Sequence, residues 1–207
     1  MKVILVNGSP DRHGFTATAL AEVAAALESE GIETEMFHIG GKPISGCLGC
    51  GRCNDSGRCF IDDCVNDFID RAASADGFVF GSPVYFASAN GAMTAFMDRV
   101  FYAAPREMFF MKPAAAVASA RRAGTTVTLD QLNKYFMITQ MPIVSSQYWN
   151  MVHGNTPDEV RQDLEGLQIM RTLGKNMAYM LRCLEAGRAA GVPLPAREAR
   201  VATNFIR

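Results

Sequence analysis

The sequence predicts a three-layer α/β/α domain: a doubly wound, five-stranded parallel sheet of order 2-1-3-4-5, followed by a helical extension. Three observations predict it. Short apolar runs alternate with helical stretches over residues 1–146. The first and third runs lead into glycine-containing loops, and in such a sheet those two strands flank the point where strand order reverses. Hydrophobic residues make up 49% of the 207, enough to fill a core on both faces of a sheet.

Each element has its own signal. Residues 2–7 are a continuous apolar run closed by Gly8, the pattern of a strand buried on both faces. Residues 15–30, rich in Ala, Leu and Glu, form a helix that stops at Gly31. Residues 32–39 give a second strand, and 40–60 a loop full of Gly and Cys. Residues 62–75 form a helix whose apolar stripe is Val65, Phe68, Ile69 and Ala72. A short buried strand at 77–81 ends in a turn at Ser82 and Pro83, and a helix follows at 91–103. Residues 113–119 give a fourth strand, 126–139 a helix and 142–146 a fifth strand, joined by right-handed crossovers. A helical stretch then runs from Pro157 to about residue 190, with a break expected near Gly166 or Gly174. The tail, 193–207, has no clear pattern. No repeat or low-complexity linker divides the chain, so 1–207 reads as one domain with 157–207 a helical extension and tail.

Charge narrows the function. Charged residues are 20% of the chain and the formal net charge is -1, which argues against nucleic acid as a partner. No segment reaches the roughly 20 apolar residues that cross a bilayer. The chain runs from Met1 straight into a strand, so no secretory signal is expected and the location expected is cytoplasmic. A reducing compartment makes a disulfide framework unexpected for the six cysteines.

Two loops have the chemistry of a nucleotide site. Between the first strand and helix, Gly8 and Gly14 allow a close turn, Ser9, Thr16 and Thr18 offer hydroxyls, and Arg12 offers a positive charge. The free amides of the helix start add a partial positive charge, so the loop suits a phosphate. It has neither the GxGxxG spacing nor a P-loop lysine, which favours a monophosphate. An ordinary turn capped by Ser and Thr would read the same way. After the third strand, amides along Val84–Phe86 can meet the polar edge of a flat ring, and Tyr85 or Phe86 can pack on it, unless both are core aromatics.

Val6-Asn7-Gly8-Ser9-Pro10 with Gly14 and Thr16, then Gly81-Ser82-Pro83-Val84-Tyr85-Phe86, then the block from Gly91 to Arg99, resemble the NADPH-dependent FMN reductase and iron–sulfur flavoprotein families over about residues 1–150. The resemblance implies a flavodoxin-like fold, FMN and redox chemistry. It implies Ser9, Arg12, Gly14, Phe15, Thr16 and Ala17 at the FMN phosphate. Pro83, Val84, Tyr85, Phe86, Ser119, Ala120, Arg121 and Gly124 would lie at the ring. Two positions depart from the family pattern: Asp11 follows Pro10 where Arg is common, and Phe15 precedes Thr16 where Asn is common.

Cys47, Cys50, Cys53 and Cys59 fall within thirteen residues among Gly46, Gly49, Gly51 and Gly57. Thiolates at such spacing suit an iron–sulfur cluster or zinc, and buried unliganded thiols are a third reading. The spacing resembles the compact motif of iron–sulfur flavoproteins, which implies a [4Fe–4S] cluster. Cys64 and Cys183 read as ordinary core thiols. The function expected is an FMN-dependent oxidoreductase with NAD(P)H or a ferredoxin-like protein as electron donor and a small molecule or protein as acceptor. The resemblance implies a homodimer or homotetramer. A non-enzymatic electron carrier, and a metal-binding regulatory protein with a vestigial flavin site, remain as rivals. No catalytic acid or base is expected, because the cofactor carries the chemistry.

Overall fold

The computed structural model describes residues 1–199 and 201–203; the rest of the expected tail, residue 200 and residues 204–207, lies outside the described residues. In chain order the elements are β1 (Lys2–Asn7), α1 (Phe15–Ser29), β2 (Glu33–His38), α2 (Cys53–Ser56), α3 (Cys64–Ala72), β3 (Gly77–Tyr85), β4 (Ser88–Ala89), α4 (Gly91–Ala103), β5 (Ala114–Ala120), α5 (Thr125–Ile138), β6 (Met151–His153), α6 (Pro157–Gln162) and α7 (Leu164–Ala189). The parallel strands lie in the order β2-β1-β3-β5-β6, and β4 adds an antiparallel pair to the end of β3. The predicted strand order therefore holds, with one short strand added.

Alternation along the strands sorts side chains into two cores. Ile4 and Val6 join Phe37, Phe68, Phe78, Phe80, Phe96 and Phe136 on the α3–α4–α5 side. Val3 and Leu5 join Leu20, Val23, Leu173 and Met177 on the α1–α7 side. Gly174 is where α7 crosses α1: a Cβ there would stand 2.7 Å from the Ala26 Cβ and 2.8 Å from the Val23 carbonyl. It permits the crossing and does not break the helix. The break falls at Asp163, whose carboxylate caps α7 by accepting from the Gly166 N–H at 2.9 Å.

Two strand boundaries differ from the sequence reading. The expected turn at Ser82 and Pro83 is still β3, with Pro83 opposite Ser119. Proline is tolerated because pairing with β1 has ended at Gly81, so a missing N–H on that side costs no ladder bond. The fifth strand is not at 142–146. Ile143 makes only an isolated bridge to Ala114, and the ladder resumes as β6 opposite Ala118–Ala120. Between them the chain leaves the sheet through a turn in which the Ser146 hydroxyl donates to the Tyr148 carbonyl at 2.7 Å, carrying exposed Tyr148 and Trp149 outward. Among the described residues no helix is long and apolar enough to cross a membrane.

Candidate functional site

The loop from Gly8 to Gly14 is shaped by its own polar groups. Asn7 Oδ1 accepts from the Ser9 N–H at 3.0 Å, Ser9 Oγ from the Asp11 N–H at 3.2 Å, and Asp11 Oδ1 from the His13 N–H at 2.9 Å. His38, at the end of β2, bonds the Ser9 carbonyl at 2.8 Å. The helix start behind the loop is bare: Gly14 stands at the N-cap of α1 with no side-chain bond. The first-turn amides of Phe15, Thr16 and Ala17 thus point out of the helix end uncapped, where an anion is favoured. Arg12 is exposed and makes no ion pair among the described residues. Asp11, where the family pattern has Arg, is exposed and folds its carboxylate back onto the His13 N–H, which shapes the loop.

Thr16 and Ser119, expected at the phosphate and at the ring, meet each other. Thr16 is buried, and its hydroxyl shares a 2.7 Å bond with the Ser119 hydroxyl, tying the start of α1 to the end of β5. Both sit beneath the loop as supports.

The turn after β3 is strained. Tyr85 pairs with Ser88, so Phe86 and Ala87 form a two-residue hairpin turn, with φ of 51° and 59°. This is the left-handed turn that Asn-Gly normally occupies. Phe86 is fully exposed. Gln131 on α5 holds the hairpin, accepting from the Ala89 N–H at 3.0 Å and from the Ser88 hydroxyl at 2.6 Å. Gly124 packs under it at φ 97°, where a Cβ would lie 2.5 Å from the Ala87 Cα. The loop from Ala120 to Gly124, with Arg121 exposed, therefore abuts the hairpin.

One residue that the sequence reading did not single out joins the two loops. Asn90, buried at the N-cap of α4, donates from Nδ2 to the Gly8 carbonyl at 2.7 Å and accepts from the Met93 N–H at 3.0 Å. The Gly8 N–H meanwhile donates to the Gly81 carbonyl at 2.8 Å. An Asn directly before a helix is an N-cap signal legible in sequence; its second bond, across to Gly8, is not. A side chain at Gly8 would strike Met93 at 2.5 Å and the Gly81 carbonyl at 2.9 Å.

Cys47, Cys50, Cys53 and Cys59 all line one recess, with Phe60, Tyr102 and Arg99 among its other walls. The recess holds about 20 Å³, room for about one water. Cys47 and Cys50 are exposed, Cys59 is half-buried and Cys53 is buried at the start of α2. Burial, then the neighbouring thiols of Cys59, Cys47 and Cys50, push the Cys53 thiol above its ordinary range. Cys64 lies off the recess, and burial pushes its thiol up to about 11. Among the described residues no three His, Cys, Asp or Glu side chains stand close enough to hold a metal ion. The donor set, four soft thiols lining one recess, fits an iron–sulfur group in kind. Gly49 and Gly51, at φ 62° and 69°, let the loop fold back on itself. Arg99 is the second residue the sequence reading left without a role: a cation on a helix stripe with Phe96, Val100 and Ala103, it is 1% exposed. That stripe was its available signal.

A family model described as NADPH-dependent FMN reductase matches residues 1–156. An iron-sulfur flavoprotein of Methanocaldococcus jannaschii is 32% identical over 195 residues, covering 89% of this chain and 100% of its own. Among solved structures, RosB with bound 8-demethyl-8-formylriboflavin-5'-phosphate superposes with TM-score 0.68 at 15% identity, over 100% of this chain and 94% of its own. A flavodoxin from the domain Archaea superposes with TM-score 0.59 at 16% identity, over 88% and 99%. The fold is flavodoxin-like.

Proposed function

This chain belongs to the NADPH-dependent FMN reductase family and is a flavin-dependent oxidoreductase, and on that premise we propose that it binds FMN across the ends of β1, β3 and β5 and exchanges electrons with a thiolate-held [4Fe–4S] cluster. The observation that carries the reading is the joint made by Asn90: an uncapped helix start and a strained aromatic hairpin are locked to one another.

Bound there, FMN supplies hydride and one-electron chemistry. The chain's residues do the rest. Amides of Phe15, Thr16 and Ala17, the Ser9 hydroxyl and Arg12 hold the phosphate, and Gly14 leaves the approach open. Pro83, Val84, Tyr85 and Phe86 support the ring on one side, and Ala120, Arg121 and Gly124 border it. Thr16 and Ser119 fix these walls from below. Cys47, Cys50, Cys53 and Cys59 hold the cluster, which supplies single-electron transfer. The electron donor is NAD(P)H or a ferredoxin-like protein, and the acceptor a small molecule or protein. The working unit is a cytoplasmic homodimer or homotetramer of single-domain chains.

Protein purified without oxygen tests this reading through its absorption spectrum, its iron and acid-labile sulfide content, and turnover with NADPH, NADH and reduced ferredoxin. Flavin bands with about four irons per chain and steady turnover with one donor are expected. A colourless protein that gains no flavin absorbance on mixing with FMN contradicts the flavin assignment, and flavin without iron or sulfide contradicts the cluster.

A further inference from the structure

Arg99 is the largest side chain among those fully buried, and all five of its N–H donors have acceptors. Nε donates to Cys59 Sγ at 3.2 Å. Nη1 donates to Asp63 Oδ2 at 2.6 Å and to the Ser45 carbonyl at 3.4 Å. Nη2 donates to Asp63 Oδ1 at 2.9 Å and to the Ile61 carbonyl at 2.9 Å. Ser45 precedes the four cysteines; Cys59, Ile61 and Asp63 close the segment that carries them. One guanidinium on α4 therefore clamps both ends of the cysteine loop.

Stability alone is a weak reason for such a group. A buried ion pair roughly breaks even against apolar residues of the same volume. Lysine could not replace it, since the planar fork is what reaches several acceptors at once. The unusual bond is the one to sulfur. A thiol is a weak acceptor and a thiolate a stronger one, so an N–H aimed at Sγ is most effective when that sulfur carries negative charge. Asp63 takes the two Nη groups, while Nε is left to Cys59, so the positive end of the pair is turned toward the thiol.

We propose that Arg99 is the positioning residue of the thiolate centre: it holds Cys59 Sγ on the recess wall and, through its N–H and charge, makes one-electron reduction there easier. This rests on the reading of the four cysteines as cluster ligands. Hydrogen bonds to the sulfurs and local charge are among the terms that set such potentials.

The test is a redox titration of the full-length protein, prepared anaerobically, following the cluster by electron paramagnetic resonance and FMN by absorbance. Arg99→Met combined with Asp63→Asn removes donor and charge without leaving a lone carboxylate; its cluster potential is expected to shift negative. Arg99→Lys, which restores charge without the fork, is expected to lie between that variant and wild type. Asp63→Asn alone keeps Arg99 and is expected to shift the potential positive, so the inference stays testable where the double variant fails to fold. The FMN potentials should move less than the cluster's in every variant. Loaded variants with the wild-type cluster potential overturn this inference alone. Wild-type protein with flavin but no iron or sulfide overturns the cluster reading and this inference with it.

Discussion

At the ends of β1, β3 and β5, polar groups are held by distant parts of the fold: Asn90 bonds Gly8, His38 bonds Ser9, and Thr16 bonds Ser119. In the cysteine loop, Cys47, Leu48 and Cys50 are exposed, and Arg99 ties the loop's two ends to α4. The first region stores strain, in the left-handed Phe86 and Ala87; the second spends glycines on freedom. The difference teaches what each has to do. A cradle for an intact nucleotide must be preformed, because disorder there would have to be frozen out on binding. On the proposed reading the cysteine loop, by contrast, would be shaped by its ligand bonds as they form.

Substitutions break or sharpen this contrast. The largest effect is expected at Asn90→Ala, which removes a helix cap and strands the Gly8 carbonyl. Stability should fall by about 3 kcal/mol in urea unfolding, and FMN affinity with it. An unchanged midpoint would mean that the two loops are not coupled. Gly124→Ala forces a Cβ into the Ala87 backbone at positive φ and should cost about 2 kcal/mol, again read by unfolding, with weaker FMN binding. Phe86→Gly goes the other way. Glycine accepts the left-handed turn, so stability should rise by about 1 kcal/mol while flavin affinity drops. A variant that is more stable and binds FMN as tightly as wild type would show that the exposed ring does nothing. Smallest of all, Cys47→Ser and Cys50→Ser should leave the apo-protein's stability within about 0.5 kcal/mol yet abolish iron incorporation. A clear loss of stability would make these thiols part of the packed structure.

Much of the fold was legible because burial on both faces leaves a plain trace: the apolar run of β1, the Phe78-Val79-Phe80 core of β3, and the stripe of α3. The two candidate sites were legible as residue types at loop positions, since glycine, hydroxyl and thiol spacing is local. What escaped was long-range. Pro83 reads as a turn unless it is known that β1 has already left β3's side. Residues 142–146 look like a strand, but they meet β5 only at Ala114, through one isolated bridge at Ile143 flanked by backbone bonds at Pro142 and Val144, and three less apolar-looking residues, Met151–His153, complete the edge. Thr16 reads as a phosphate ligand from its place in the loop, and its bond to Ser119, 103 residues away, leaves no trace in the local sequence. Asn90 and Arg99 each carry a local anomaly, a cap and a buried-stripe cation, but their partners come from other loops.

FMN is proposed to bind by its phosphate at the bare start of α1. Titrating the apo-protein with FMN and with riboflavin, by quenching of flavin fluorescence, tests it most directly. The account predicts that FMN binds at least about a hundredfold tighter, the worth of one or two charge-assisted hydrogen bonds, and that Arg12→Ala narrows the gap. Equal affinity for the two flavins would contradict it.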